Sequence, residues 1–232
     1  MQSGRLPHKE FSTLSSICDA ILPPDHPTWR DTVPERAAAI LTQLPNADDL
    51  AQLRQLLRLL ESPIASLALT CRSKAFSIMS RPEREASLRA MARHPLNPIR
   101  GAFQALKRLA TLLYYADADP QGHNPTWSSL GYPGPILDPP ETAKSIRPLL
   151  VDKDLVLDCD VVVVGSGAGG GVVAGELAAA GRDVVVVEKG SYSNEADFNQ
   201  LEWEALRKRY LYRGLLSTSD QAVGIIAGSC LG

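Results

Sequence analysis

The residues with the clearest chemical purpose are three glycines and one acid. Gly165, Gly167 and Gly170 take the glycine positions of G-x-G-x-x-G in the run Gly165-Ser166-Gly167-Ala168-Gly169-Gly170, and Glu188 follows at the end of a valine run. In such a loop the first glycine permits a tight turn. The second lets the backbone approach a pyrophosphate, and the third lets the following helix pack close to the strand before it. A side chain at any of the three is expected to intrude. The N–H groups at the start of that helix, with the positive end of its dipole, suit a diphosphate. An acid at the distance of Glu188 accepts hydrogen bonds from a ribose hydroxyl, which favours an unmodified ribose over a 2′-phosphorylated one. The glycines alone do not separate FAD from NAD, and the plainer reading is a glycine-rich turn in an ordinary loop.

The flanking elements argue for the dinucleotide reading. Residues 161–164 are four consecutive valines, the pattern of a central parallel strand covered on both faces. From about Ala168 a helix is expected, with Val173, Leu177 and Ala180 on one face and Ala174 and Ala178 leaving room beside the sheet. Gly181 ends it as a left-handed cap. Residues 184–187, again four valines, make a second strand closed by Glu188.

The remaining composition narrows the function. Lys and Arg number 24 against 26 Asp and Glu, a formal charge of −2 in 232 residues, which argues against a nucleic-acid binder. Glu176 interrupts the longest apolar run, and the N-terminal residues have no apolar core, so neither a membrane span nor a cleaved signal is expected. Cys18, Cys71, Cys159 and Cys230 are scattered, without metal-ligand spacing. They read as small buried hydrophobes in a reducing, intracellular compartment. His8, His26, His94 and His123 all precede the glycine loop and read as surface or capping residues.

Before the loop the chain is helical in pattern. Residues 9–22 place Phe11, Leu14, Ile17, Cys18, Ile21 and Leu22 on one side of a helix stopped by Pro23 and Pro24. A second helix opens at Pro34, and Asn46 is placed to cap a third carrying Leu50, Leu53, Leu56, Leu57 and Leu60. Apolar stripes follow at 64–79, 83–91 and 99–115. Residues 72–108 hold nine basic side chains and two acids, so a peripheral membrane contact competes with a solvated bundle face. Residues 117–148 are rich in proline and glycine and read as a linker or fixed extended wrap, with Trp127, Tyr132 and Ile136 as anchors. After Glu188 a helical segment around Phe198, Leu201, Ala205 and Leu206 is expected, ending in Arg207, Lys208 and Arg209 at a solvated helix end. A short strand pair follows near the C-terminus.

Three stretches carry a family resemblance: DCDVVVVGSGAGGGVVAGELA, VVVVEKG and GLLSTSDQAVGIIAGSCLG. Through them the chain resembles the N-terminal part of the glucose-methanol-choline (GMC) flavin oxidoreductases, most closely the long-chain fatty alcohol oxidase branch. The helical part is similar to that branch's N-terminal extension. The resemblance implies FAD as cofactor, held by Gly165, Ser166, Gly167, Ala168, Gly169 and Gly170 with Glu188 at the adenosine ribose. It further implies that Gly228 and Ser229 approach the flavin side. The implied chemistry is hydride removal from a long-chain primary alcohol, giving an aldehyde, while a histidine takes the hydroxyl proton.

In that family the catalytic histidine lies near the end of a chain several times longer, and no residue here corresponds to it. The isolated chain is therefore expected to bind FAD weakly or not at all and to be inactive, as a truncated product, an incomplete gene reading or one piece of a split protein. The expected fold class is α/β: an incomplete Rossmann-type FAD-binding βαβ unit preceded by an all-α N-terminal region. The expected parts are residues 1–116 (helical), 117–157 (linker) and 158–232 (FAD-binding). The competing reading is a non-catalytic helical interaction or membrane-association module with a remnant nucleotide fold. An NAD-dependent dehydrogenase fragment is a third, disfavoured by the C-terminal stretch.

Overall fold

A computed structural model describes residues 6–42, 47–135, 138–216, 218 and 223–231 of the chain. It divides into two compact units. One comprises Met1–Gly134 with Leu216–Ile225, the other Pro135–Leu215 with Ile226–Gly232.

The first unit is all-α. Helix α1 (His8–Ile21) buries Leu14, Ile17 and Cys18, spaced three and four apart, and stops before two prolines. A single turn that the sequence pattern had not suggested, α2 (Pro27–Arg30), precedes α3 (Val33–Leu41). Helix α4 (Ala47–Glu61) buries Leu57 and Leu60; its expected cap, Asn46, lies outside the described residues. Helix α5 (Pro63–Thr70) begins at Ser62, whose side chain accepts from the Ala65 amide. Helix α6 (Arg81–Ala92) opens with a capping box between Ser80 and Glu83. The Ser80 amide first, then Lys74, holds the Glu83 carboxyl down to about 2. Helix α7 (Asn97–Tyr115) contributes Leu106, Leu109, Leu113 and Tyr114 to a core shared with α1, α3 and α6.

Polar groups in this core are individually matched. Burial by itself would raise the Glu10 carboxyl, but bonds from Arg54 (2.8 Å) and Arg58 (2.7 Å) outweigh it and the net shift is downward. The buried Asn124 donates to the carbonyls of Tyr114 and Asp117, while its own carbonyl accepts from the Thr126 amide and hydroxyl. Residues 119–130 are thereby folded back onto α7, ending in α8 (Thr126–Leu130). Trp127 is buried there with its indole N–H on the Tyr115 carbonyl, and Tyr132 meets it edge-on at 5.3 Å. Ile136, the other suggested anchor, lies outside the described residues.

Five of the nine basic residues of 72–108 are engaged within the unit, and one sequence expectation changes here. Arg81 and Arg84 reach Asp19, Arg81 and Arg89 reach Glu85, Lys74 reaches Glu83, and Arg100 donates to the carbonyls of His94 and Pro95. Helix α5 is packed with its polar side inward. Ser66 and Thr70 are buried against each other, while Ile64 and Leu67 are 83% and 51% exposed. Small hydroxyls suit a close helix contact, because each can satisfy itself on a neighbouring carbonyl, as Thr70 does on Ser66.

The second unit holds β1 (Val161–Val164), α9 (Ala168–Ala179) and β2 (Val184–Val187). The strands are parallel, in the register Val161↔Val184 to Val164↔Val187. This is the expected βαβ unit behind an all-α region. Gly181, at φ 80°, closes α9: its amide bonds the Ala178 carbonyl and the Arg182 amide bonds the Leu177 carbonyl. That pair of bonds is a Schellman cap, as the left-handed glycine required.

The expectation of a strand covered on both faces is not met. Val163 is buried, but Val162 and Val164 are 57% and 84% exposed, and α9 buries no residue. Two strands and one helix have too little surface to cover each other. The half-buried line of α9 is Gly170, Ala174 and Leu177, with Val173 and Ala180 exposed. Two of these three positions carry a glycine and an alanine.

Residues 138–160 form neither helix nor strand; Asp160 is bonded to Asp183 ahead of β2, and the earlier part is held around Asn194. Asn194 donates to the carbonyls of Thr142 and Ala143, Lys144 pairs with Asp197 at 2.9 Å, and Ser145 shares a hydrogen bond with the Tyr192 hydroxyl. Helix α10 (Glu202–Arg209) buries Trp203 next to Leu201. Lys208 at its end pairs with Glu204, while Arg209 folds back onto Ser193 and the Asp197 carbonyl and stacks on Phe198. That end is therefore packed at Arg209 rather than solvated throughout. Within the first unit the expected C-terminal strand pair appears as two backbone bonds, Thr218 to Val223 and Ile225 to Leu216; residues 219–222 lie outside the described set.

All four cysteines are free thiols. Cys18 is buried, which pushes it up to about 12. Cys159 and Cys230 are half-buried, and Cys71 is exposed at a left-handed helix end. Burial was expected for all four and holds fully only for Cys18.

Candidate dinucleotide-binding site

The glycine loop lies at the strand-to-helix junction, between the end of β1 and the start of α9. Its three motif glycines differ in what they require. Gly165 has φ 94°, a backbone that L-residues rarely adopt, and its amide continues the ladder to the Val187 carbonyl at 2.8 Å. Gly170 is demanded by packing, since a Cβ there would drive into the Gly165 carbonyl oxygen and stand 3.3 Å from Val163 Cγ1. Gly167 has ordinary φ and open space where a Cβ would stand, as does Gly169. Among the motif glycines, a side chain would therefore collide with the protein itself only at Gly170. At Gly165 the obstacle is conformational, and at Gly167 nothing in the protein stands in the way.

Ahead of the loop, α9 presents its first turn with Gly167 as N-cap and no side chain capping it. The first amides of a helix have no acceptor within it. Here the dipole end and four small residues, Gly167, Ala168, Gly169 and Gly170, leave room for a ligand's oxygens to approach the backbone.

Glu188 closes the site from β2. Its Oε2 accepts from the Ser166 amide at 2.8 Å and the Ser166 hydroxyl at 2.9 Å, and its Oε1 accepts from the Gly190 amide at 2.9 Å. The Gly190 bond first, then the two from Ser166, hold the carboxyl down to about 2, so it is ionised and acceptor-only near neutrality. Ser166, a spacer in the motif, is thus the residue that joins the loop to the acid. Its hydroxyl beside an acid at a strand end was the available signal.

The C-terminal residues Gly228 and Ser229 are carried to the end of β2. Tyr210 and Gly228 form an antiparallel bridge, Ser191 and Cys230 a parallel one, and the Ser229 amide donates to the Arg209 carbonyl at 2.7 Å. Gly190 permits this passage, because a Cβ there would collide with the Ser229 carbonyl and the Cys230 amide. Gly190 had no assigned role in the sequence reading. A glycine following a strand-end acid reads as an ordinary turn until the crossing segment is known.

These residues fit a dinucleotide. Open space lies over Gly167 and Gly169, an uncapped helix start faces it, and an ionised acid stands at the neighbouring strand end. No helix among the described residues is long and apolar enough to cross a membrane.

Known proteins align with both units. Residues 8–134, more than half the chain, match the gluconate 2-dehydrogenase subunit 3 family, and residues 160–199 match the FAD binding domain family. A long-chain-alcohol oxidase of Arabidopsis thaliana, FAO3, is 35% identical over 188 residues, covering 68% of this chain and 25% of the relative. A second from the same plant, FAO4B, is 29% identical over 284 aligned positions, covering 96% of this chain and 38% of the relative. FAO1 is 27% identical, also covering 96% and 38%. The chain spans between a quarter and two fifths of the length of these curated relatives. No solved structure matches. Through residues 8–134 the chain belongs to the gluconate 2-dehydrogenase subunit 3 family, its βαβ unit matches an FAD binding domain, and the curated relatives it resembles are long-chain-alcohol oxidases.

Proposed function

We propose that this chain grips the adenosine diphosphate part of FAD in an oxidoreductase that converts long-chain primary alcohols to aldehydes. The backbone of Gly165, Ser166, Gly167, Ala168, Gly169 and Gly170 forms the diphosphate cradle. Glu188 turns its remaining acceptor capacity to the adenosine ribose, and Gly228 and Ser229 border the cofactor from the crossing segment. FAD, when bound, supplies the hydride acceptor for alcohol oxidation. This chain's share is to bind and orient, and no histidine follows His123 to take a hydroxyl proton. Alone it turns over no alcohol. Residues 1–134, whose stretch 119–130 is folded onto α7, serve as a helical module, 135–157 as the connection and 158–232 as the cofactor-binding part.

The observation that carries this reading is the hydrogen-bonded lock of Glu188 on Ser166, which holds the acid against the glycine loop at the β1–α9 turn. Titration of ¹⁵N-labelled chain with ADP, followed by NMR, detects even millimolar binding. Chemical-shift changes concentrated at residues 165–170 and 188–190 are expected. Their absence at saturating ADP overturns the proposal.

A second reading, peripheral membrane contact, is favoured by exposed Ile64 and Leu67 on α5, followed closely by Arg72. Co-sedimentation with vesicles containing phosphatidylserine, lost in Leu67→Asp, supports it; a chain that stays in the supernatant removes it.

A further inference from the structure

We propose that Lys189 and Tyr212 form a platform for a purine base beside the ribose acid, a proposal that rests on the FAD reading above. Three consecutive residues, Tyr212 (φ 48°, ψ 33°), Arg213 (φ 59°, ψ 30°) and Gly214 (φ 72°), adopt left-handed backbone conformations. Only the glycine does so without strain. The surroundings enforce the turn. The Leu211 amide donates to the Ala227 carbonyl at 2.9 Å, the Arg213 amide to the Tyr210 carbonyl at 3.1 Å, and Gly214 lies hard against Leu206. Nothing in the core needs the aromatic ring that results. Tyr212 is 44% exposed, and the Lys189 ammonium sits 5.3 Å from its centroid.

The backbone of that lysine is fixed by its neighbours. Glu188 on one side is bonded to the glycine loop, and Gly190 on the other donates to the same carboxylate and is pinned under Ser229. The pair therefore stands one residue beyond the acid that faces the ribose, where a base attached to that sugar projects. A flat electron-rich ring stacks through one face on a purine, while the ammonium over its other face strengthens the site for the base's ring nitrogens. A strained turn that presents an exposed aromatic ring is accounted for by a ligand that uses the ring.

The test compares ADP with inorganic pyrophosphate on the intact chain, reading the amide shifts of residues 165–170. The platform contributes only to ADP, which is expected to bind at least about tenfold more tightly than pyrophosphate. Tyr212→Gly removes the ring and suits the left-handed backbone, so the fold is kept. It should weaken ADP binding about tenfold while leaving pyrophosphate unchanged, the ribose contact with Glu188 being retained. Tyr212→Phe should keep the ADP affinity. An ADP affinity unchanged by Tyr212→Gly overturns the platform and leaves the diphosphate reading standing. If neither ligand shifts these amides in the unsubstituted chain, the cofactor reading fails and the platform with it.

Discussion

Ser166 gives both its backbone N–H and its hydroxyl to one carboxylate oxygen of Glu188, 22 residues on, at 2.8 and 2.9 Å. The acid at the end of β2 is therefore a brace for the glycine loop before any ligand arrives. Glu188→Gln replaces one acceptor oxygen by an amide group that faces N–H donors. Faster hydrogen exchange at the Ser166 and Gly190 amides is expected, together with weaker ADP binding.

The pH dependence of that brace has a definite sign. The Glu188 carboxyl is held at about 2 against an ordinary value of 4.5, so the unfolded chain takes up the proton first. Its contribution is complete above about pH 4.5 and fades as pH falls through about 2. Exchange protection of the Ser166 amide, followed from pH 5 to pH 2, should decline over this window in the native protein. In Glu188→Gln this component should be missing.

Gly170 and Gly167 should separate folding from binding. Gly170→Ala forces a methyl group onto the Gly165 carbonyl, which is backbone and cannot swing aside, so a loss of about 1–3 kcal/mol is expected in urea unfolding of this unit. Gly167→Ala meets open space and should stay within about 0.5 kcal/mol of the parent. It should nonetheless abolish the ADP response, since the methyl group occupies the approach to the backbone.

The chain ahead of β1 is held around Asn194. Asn194→Ala removes both donors to Thr142 and Ala143, leaving the Lys144–Asp197 pair and the Ser145–Tyr192 bond as the remaining ties. Limited proteolysis should then cut residues 138–150 sooner, with the helical unit unaffected.

In the helical unit the sensitive polar residue is Asn124, fully buried and bonded on both ends of its amide. Asn124→Ala strands the Asp117 carbonyl and the Thr126 amide, while the Tyr114 carbonyl keeps the Trp29 indole N–H; each stranded group costs about 1–3 kcal/mol if water cannot replace the partner. A clear drop in melting temperature is expected. Thr42→Ala, at the exposed end of α3, provides the neutral comparison.

The sequence by itself determined what local chemistry can specify. Glycine spacing, two valine runs and a terminal acid require a strand, a tight turn, a helix and a second strand, because each glycine answers a backbone demand within a few residues. Leucine and isoleucine spacing in the same way marked α1, α4 and α7. Only the tertiary structure decided which of those demands were steric, which were conformational and which left space for something else. It showed that Ser166 rather than a ribose already occupies part of Glu188, and that Gly190 makes way for Ser229. It turned α5 polar side inward and left Val162 and Val164 open, outcomes that follow from which surfaces are present to be covered. Tyr212 rests on the same distinction: an ordinary tyrosine in the sequence, it is forced into a left-handed turn beside Lys189 by hydrogen bonds from a segment 15 residues further along the chain. Contacts between residues distant in sequence have no local signature, so they appear only when the chain is folded.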